Sequence, residues 1–177
     1  MNLLRLFSLL LLFLCVSSEL LALNSSSLHE ITLPTPAALA DKTLGTAIAI
    51  SGSTAAIAAL SDDRNSTGSV YLYAAQENWR LSAEVNSKST ADNFARHIIL
   101  HDNLLLVSAD KDDENGVNSG AVYIFERTID NLHHWQQTAK LTASDAQAGD
   151  HFGGAIALAG NTLYIGAPSN GQGKVYI

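Results

Sequence analysis

The dipeptide Val-Tyr stands at 70–71, 122–123 and 175–176, at spacings of 52 and 53 residues. Each copy lies inside the same larger pattern. A head residue (Leu44, Phe94, Phe152) opens a short apolar alternation, a tight turn follows, then a second apolar run, a polar loop and the Val-Tyr strand. In the third copy Ala155, Ala157 and Ala159 alternate with Ile156 and Leu158, the two-residue period of a strand. Gly160-Asn161 then supplies residues that tolerate the positive φ of a two-residue hairpin. Trp79 and Trp135, 56 residues apart, open a fourth strand in the first two copies. A period of about 53 residues made of four short strands is the pattern of a propeller blade. A β-sandwich of three hairpins uses the same strands but leaves the repeat unexplained.

The expected fold is therefore all-β: about three four-stranded antiparallel blades over 44–87, 94–143 and 152–177. The last lacks its outer strand, and a spare strand lies at 29–34, because Leu33 precedes Leu44 by the same 11 positions that separate Leu141 from Phe152. Small residues in the first two strands suit the crowded centre of a propeller, and Tyr, Phe and Trp suit the outer strands where blades splay apart. Rings usually have four to eight blades. Three blades' worth of strands thus implies either a segment of a larger ring or self-association of copies into six blades. The break inside the last Val-Tyr strand favours the first.

Residues 1–22 read as a signal peptide, with Arg5 in a short basic start and the 11-residue apolar stretch Leu6–Val16. That stretch is too short for the roughly 20 residues of a membrane span, so no membrane insertion is expected after its removal. Ser18 and Ala22 both remain as cleavage positions. Leu14 is too bulky for a lipoprotein reading of Cys15, the chain's one cysteine. Residues 23–28 form a polar linker. The mature chain then has no cysteine, so export proceeds without disulfides. The expected location is secreted, extracellular or at the cell surface, with the periplasm as the alternative. A net charge of −7 and a pI near 5.2 argue against nucleic acid and anionic membranes as partners.

Phe152-Gly153-Gly154 and Gly166-Ala167-Pro168 resemble the FG and GAP elements of the FG-GAP repeat, the blade motif of the integrin α-chain propeller and of secreted bacterial repeat proteins. Leu44-Gly45 with Ala58-Ala59-Leu60, and Phe94-Ala95 with Ser108-Ala109-Asp110, look like degenerate versions. Trp135 to Asp145 is similar to the segment that precedes the FG element in the bacterial branch. The resemblance implies a β-propeller, often of seven blades, that serves as a binding platform rather than an enzyme. Integrin-type blades carry a calcium loop between their first two strands. Here those connections are Ser51-Gly52-Ser53, His101-Asp102-Asn103 and Gly160-Asn161, too short to wrap an ion that takes six to eight oxygens. No cofactor is expected, with calcium as the alternative.

The sharpest charged stretch is Asp110-Lys111-Asp112-Asp113-Glu114-Asn115-Gly116, between second and third strands. Asp110, Asp112 and Glu114 alternate as an oxygen-ligand loop does. However, the glycine comes one residue late for an EF-type turn, Ala121 stands where the closing Glu belongs, and Lys111 competes for the carboxylates. A solvated turn is the plainer reading. Asp62 and Asp63 form a thinner version in the first copy. In a four-stranded meander this loop opens on the same side as the blade links, which hold Asp92, Asp145 and Asp150. The candidate ligand face is thus Asp62, Asp63, Asp110, Asp112, Asp113 and Glu114, with a cation reading for Asp110, Asp112 and Glu114.

Other signals carry less. Trp79 and Trp135 suit packing better than sugar stacking, given their shared place in two copies. His29-Glu30 lacks a second histidine four residues on, His133-His134 fall in a polar hairpin, and neither a Gly-x-Ser-x-Gly elbow nor a mature cysteine supplies a nucleophile. Asn24 and Asn65 fit the glycosylation pattern. The function expected from these residues is a secreted, non-catalytic repeat scaffold for an undetermined protein or glycan ligand. The alternatives are a fragment of a carbohydrate-active propeller enzyme and a purely structural surface repeat.

Overall fold

The computed structural model describes residues 33–34, 42–61, 67–87, 93–128 and 133–177. The signal peptide, the linker, Asp62, Asp63 and Asp92 lie outside them, as does the spare strand apart from Leu33 and Pro34, which have no regular secondary structure. The remaining chain forms eleven strands in three antiparallel meanders. Sheet one is β1 (Lys42–Ser51), β2 (Thr54–Ser61), β3 (Ser69–Ala74) and β4 (Arg80–Asn86). Sheet two is β5 (Phe94–His101), β6 (Leu104–Ala109), β7 (Ala121–Arg127) and β8 (Trp135–Leu141). Sheet three has β9 (Ala155–Ala159), β10 (Thr162–Ala167) and β11 (Lys174–Tyr176), and among the described residues no fourth strand pairs with β11.

The first two strands of every sheet are joined by two residues, Gly52-Ser53, Asp102-Asn103 and Gly160-Asn161. The first of each pair takes a left-handed φ, near +55°, +52° and +57°, as the hairpin turn that matches strand twist demands. This local rule, more than hydrophobicity, sets the register of each sheet.

Alternation then decides which residues meet the neighbouring sheet. Ala56, Ala58, Val70, Leu72 and Val85 from sheet one pack with Phe94, Leu100, Leu105, Val107 and Tyr123 from sheet two. Sheet two turns Val122 the other way, onto Phe152, Ile165 and Ala167 of sheet three. The two interfaces are the same interface repeated, with Val70 and Val122 on one side and Phe94 and Phe152 on the other. Small residues are needed where backbones approach, and the two-sided burial of β2 and β6 fits their central place. The first strands β1 and β9 stay partly exposed along their length.

The head motif has a backbone cause. Gly45, Ala95 and Gly153, each one residue after the head, have φ of +89°, +75° and +91°. In β1 and β5 the pairing slips just beyond them, between Leu44 and Ile48 and between Phe94 and Ile98, as a bulge requires. Glycine is free in this region, whereas the alanine in the second copy is strained. Ala95→Gly is accordingly expected to raise the unfolding free energy by about 1 kcal/mol, measured by urea titration. Unchanged or reduced stability would remove this explanation of the motif.

The opposite rim is stapled by side chains. Arg127 Nη1 donates to Thr54 Oγ1 at 3.2 Å, and its Nε and Nη2 both donate to Asn103 Oδ1. The same guanidinium lies 5.7 Å from the Trp135 ring centre. His133 pairs with Glu77 at 3.2 Å and with Ser82 Oγ at 2.9 Å. His133 and Arg127 thus join sheet two to sheet one.

Candidate functional site

The β6–β7 loop, the β8–β9 link and the β10–β11 loop share one end of the sheets and bond directly to one another. Gly149, His151 and Phe152 donate backbone hydrogen bonds to the carbonyls of Val117, Asn118 and Ser119 at 2.8–3.1 Å. Ser169 N–H reaches the Asp150 carbonyl at 3.3 Å. The result is a continuous rim of loops across sheets two and three.

At its centre is Asp112, only 1% exposed. Tyr123 Oη donates to its Oδ2 at 2.8 Å, Lys140 Nζ approaches both oxygens at 2.8–2.9 Å, and Glu114 N–H donates to Oδ1 at 3.1 Å. Lys140 also pairs with Glu114 and lies 5.1 Å from the Tyr123 ring centre. Two of the three residues in the cation reading thus share a positive charge supplied by the protein itself. The third, Asp110, is drawn elsewhere: its Oδ1 accepts from Asn93 Nδ2 at 2.6 Å. Among the described residues no three His, Cys, Asp or Glu side chains are grouped to hold a metal ion.

Asp113 and Glu114 remain at the surface, Asp113 accepting from Asn118 N–H at 2.7 Å. Asp112 is turned inward and cannot meet a ligand arriving from solvent. Trp135 is buried in the core between sheets one and two, and half-buried Trp79 packs beside Tyr71 and Tyr73. Phe152, Gly153 and Ala167 are buried, while Pro168 is exposed and lies over Gly154.

Sheet three rebuilds the cluster with other residues. Asn170 stands three places after Ala167, as Asp112 stands three after Ala109. Its Nδ2 donates to Asp150 Oδ2 at 2.9 Å and to Tyr176 Oη at 3.2 Å. Tyr176 Oη donates in turn to Asp145 Oδ1 at 2.7 Å, and Lys174 Nζ to Asp145 Oδ2 at 2.5 Å. In sheet one the buried Tyr71 hydroxyl has no hydrogen-bond partner among the described residues. The equivalent of Asp112 there is Asp62, outside them. In sheets two and three the shared unit is thus a third-strand tyrosine held by the loop before it, legible in the sequence as a polar residue three places after the GAP alanine.

Hydrogen bonding to Asp145, with burial secondary, pushes the Tyr176 phenol up to about 12 from 10.0. The Lys174 ammonium and that phenol hold the Asp145 carboxyl below its usual range. Asp145→Asn should return the Tyr176 phenol toward 10, read as an earlier midpoint in an ultraviolet tyrosinate titration. No change in that titration would mean the bond is not maintained in solution.

This framework of FG head, GAP strand and third-strand tyrosine is matched by the FG-GAP repeat family over residues 37–73, 81–125 and 135–177. The chain is an FG-GAP repeat protein. No curated protein matches it significantly. In this FG-GAP chain the last two matches each begin in or at the fourth strand of one sheet and run to the third strand of the next, so the repeat and the sheet are offset by one strand. No helix among the described residues is long and apolar enough to cross a membrane.

Proposed function

We propose that the protein is a secreted, non-catalytic scaffold whose loop rim binds a protein or a glycan at or outside the cell surface. The supporting observation is the continuity of the rim. Three loops from two sheets are bonded into one rigid surface that exposes Asp113, Glu114 and Asp145 beside Lys111 and Lys174. Loops held by a rigid sheet are where repeat proteins carry recognition. The charges suit a basic protein patch or a hydroxyl-rich saccharide. The residues read as a signal peptide support export. The buried Asp112–Lys140–Tyr123 cluster acts in this reading as the brace that fixes the rim's shape.

The test is a glycan array and a pull-down from extracellular material, each run with the parent and with the Asp113→Lys/Glu114→Lys variant. A ligand bound by the parent and lost by the variant, with unchanged circular dichroism, supports the rim. A ligand held equally by both moves the function elsewhere on the protein. Turnover of a polysaccharide by the parent would replace the scaffold with an enzyme.

A further inference from the structure

The sequence holds two Asn-Gly pairs, Asn115-Gly116 in the β6–β7 loop and Asn170-Gly171 in the β10–β11 loop. Such a pair is chemically reactive. The backbone nitrogen after the asparagine can attack the side-chain Cγ and close a succinimide ring, and glycine hinders this least because it has no Cβ. In a folded chain the side chain must be free to swing, the nitrogen must be free to attack, and water must reach the ring. The two pairs differ in the first and the last of these.

Asn115 is exposed on the outer turn of its loop, and its side chain makes no hydrogen bond among the described residues. The Gly116 N–H donates to the Asp113 carbonyl at 3.2 Å, the long end of the range for such a bond. An exposed turn of this kind opens at little cost. Asn170 is only 9% exposed, and its Nδ2, the nitrogen that would have to leave, donates to Asp150 Oδ2 at 2.9 Å and to Tyr176 Oη at 3.2 Å. Turning its Cγ toward Gly171 breaks both bonds and takes a donor from the buried Asp150 carboxylate. The fold leaves one pair open and locks the other.

The open pair lies in the middle of the loop rim. Its product adds a carboxylate beside Asp113 and Glu114. In the isoaspartate form the chain also runs through the former side chain, one methylene longer. That methylene enters a closely fitted turn. The Gly116 carbonyl accepts from Ser119 N–H at 2.9 Å, and a Cβ on Gly116 would stand 3.1 Å from the Ala148 nitrogen.

We propose that Asn115 is a self-modification site, converting to aspartate and isoaspartate without enzyme or cofactor and so altering the rim with age. The Gly116 nitrogen gives its proton to water or hydroxide and bonds to Asn115 Cγ. The Cγ–Nδ2 bond breaks, and Nδ2 takes up a proton and leaves as ammonia. Water then opens the ring at either carbonyl and leaves a carboxylate; nothing is oxidised or reduced. The weight of this change for binding rests on the rim reading above, whereas the chemistry does not.

The test needs no ligand. Protein expressed from residue 1 and purified as the host processes it is incubated at mildly alkaline pH, folded and in urea, then mapped by peptide mass and electron-transfer fragmentation. In urea both pairs should convert at similar rates. In the folded protein Asn115 should gain about 1 Da and show both products, with Asn170 slower by about tenfold or more. Asn115→Gln should abolish the gain, because the longer side chain closes its ring poorly, and should leave circular dichroism unchanged. A folded Asn115 that stays intact while the urea sample converts overturns the proposal. So do a folded Asn170 that keeps pace with Asn115, and a product of aspartate alone, which direct hydrolysis gives without the ring.

Discussion

Gly120→Ala is expected to lower the unfolding free energy by about 4 kcal/mol and to release sheet three before the other two. The added methyl would meet the Phe152 carbonyl oxygen at 2.1 Å and its nitrogen at 2.5 Å. Both are backbone atoms, so no rotamer change relieves the clash. The residue also has φ +87° and forms the parallel bridge to Phe152 that starts the junction. Gly149→Ala is the matched control, with φ +84° and nothing within 4 Å of the new carbon. It carries the backbone strain alone, about 1–2 kcal/mol. Urea unfolding with limited proteolysis, reporting which strands are cut first, separates the two. Equal effects would mean that the close approach of the sheets contributes nothing.

Asp112→Ala should cost about 3–5 kcal/mol, because it leaves a mostly buried ammonium and a buried phenol without their shared acceptor. Burial works to lower the Lys140 pKa, but the hydrogen bonds that the ammonium donates to Asp112 and Glu114, with the Tyr123 hydroxyl beside them, outweigh it and hold the ammonium above its ordinary 10.5. Burial, with Asp112 adding to it, also pushes the Tyr123 phenol up from 10.0. Both groups therefore bind their protons more tightly when folded than unfolded. Their contribution is complete below the unfolded values near 10 and is lost as pH rises through the folded ones. The parent should lose stability steeply above pH 10, and Asp112→Ala less steeply from a lower start. Parallel stability curves for the two proteins across that range would exclude the cluster as the cause.

The three sheets were legible because their signals are local. Alternation, turn residues and the Val-Tyr register each act within a few positions, and together they place the sheets to within two or three residues. The cross-sheet contacts were not. Gly68 and Gly120 are ordinary loop glycines in the sequence, and only the approach of Phe94 and Phe152 shows why nothing larger fits. In the sequence Asp112 stands with its neighbours in a stretch that reads as an exposed ligand face. Its inward turn follows from Lys140, 28 residues away on β8, and from Tyr123 on β7. A buried carboxylate and a solvated one look alike until the partner strand is known.

The one-strand offset between repeat and sheet bears on how such arrays change length. A duplication or deletion of one whole repeat leaves every internal sheet four-stranded, because each unit brings the outer strand of its predecessor. Growth by tandem copying then never creates a half-built layer in the middle of the stack. Only the terminal surfaces register the event, and their geometry is unchanged by the number of units between them.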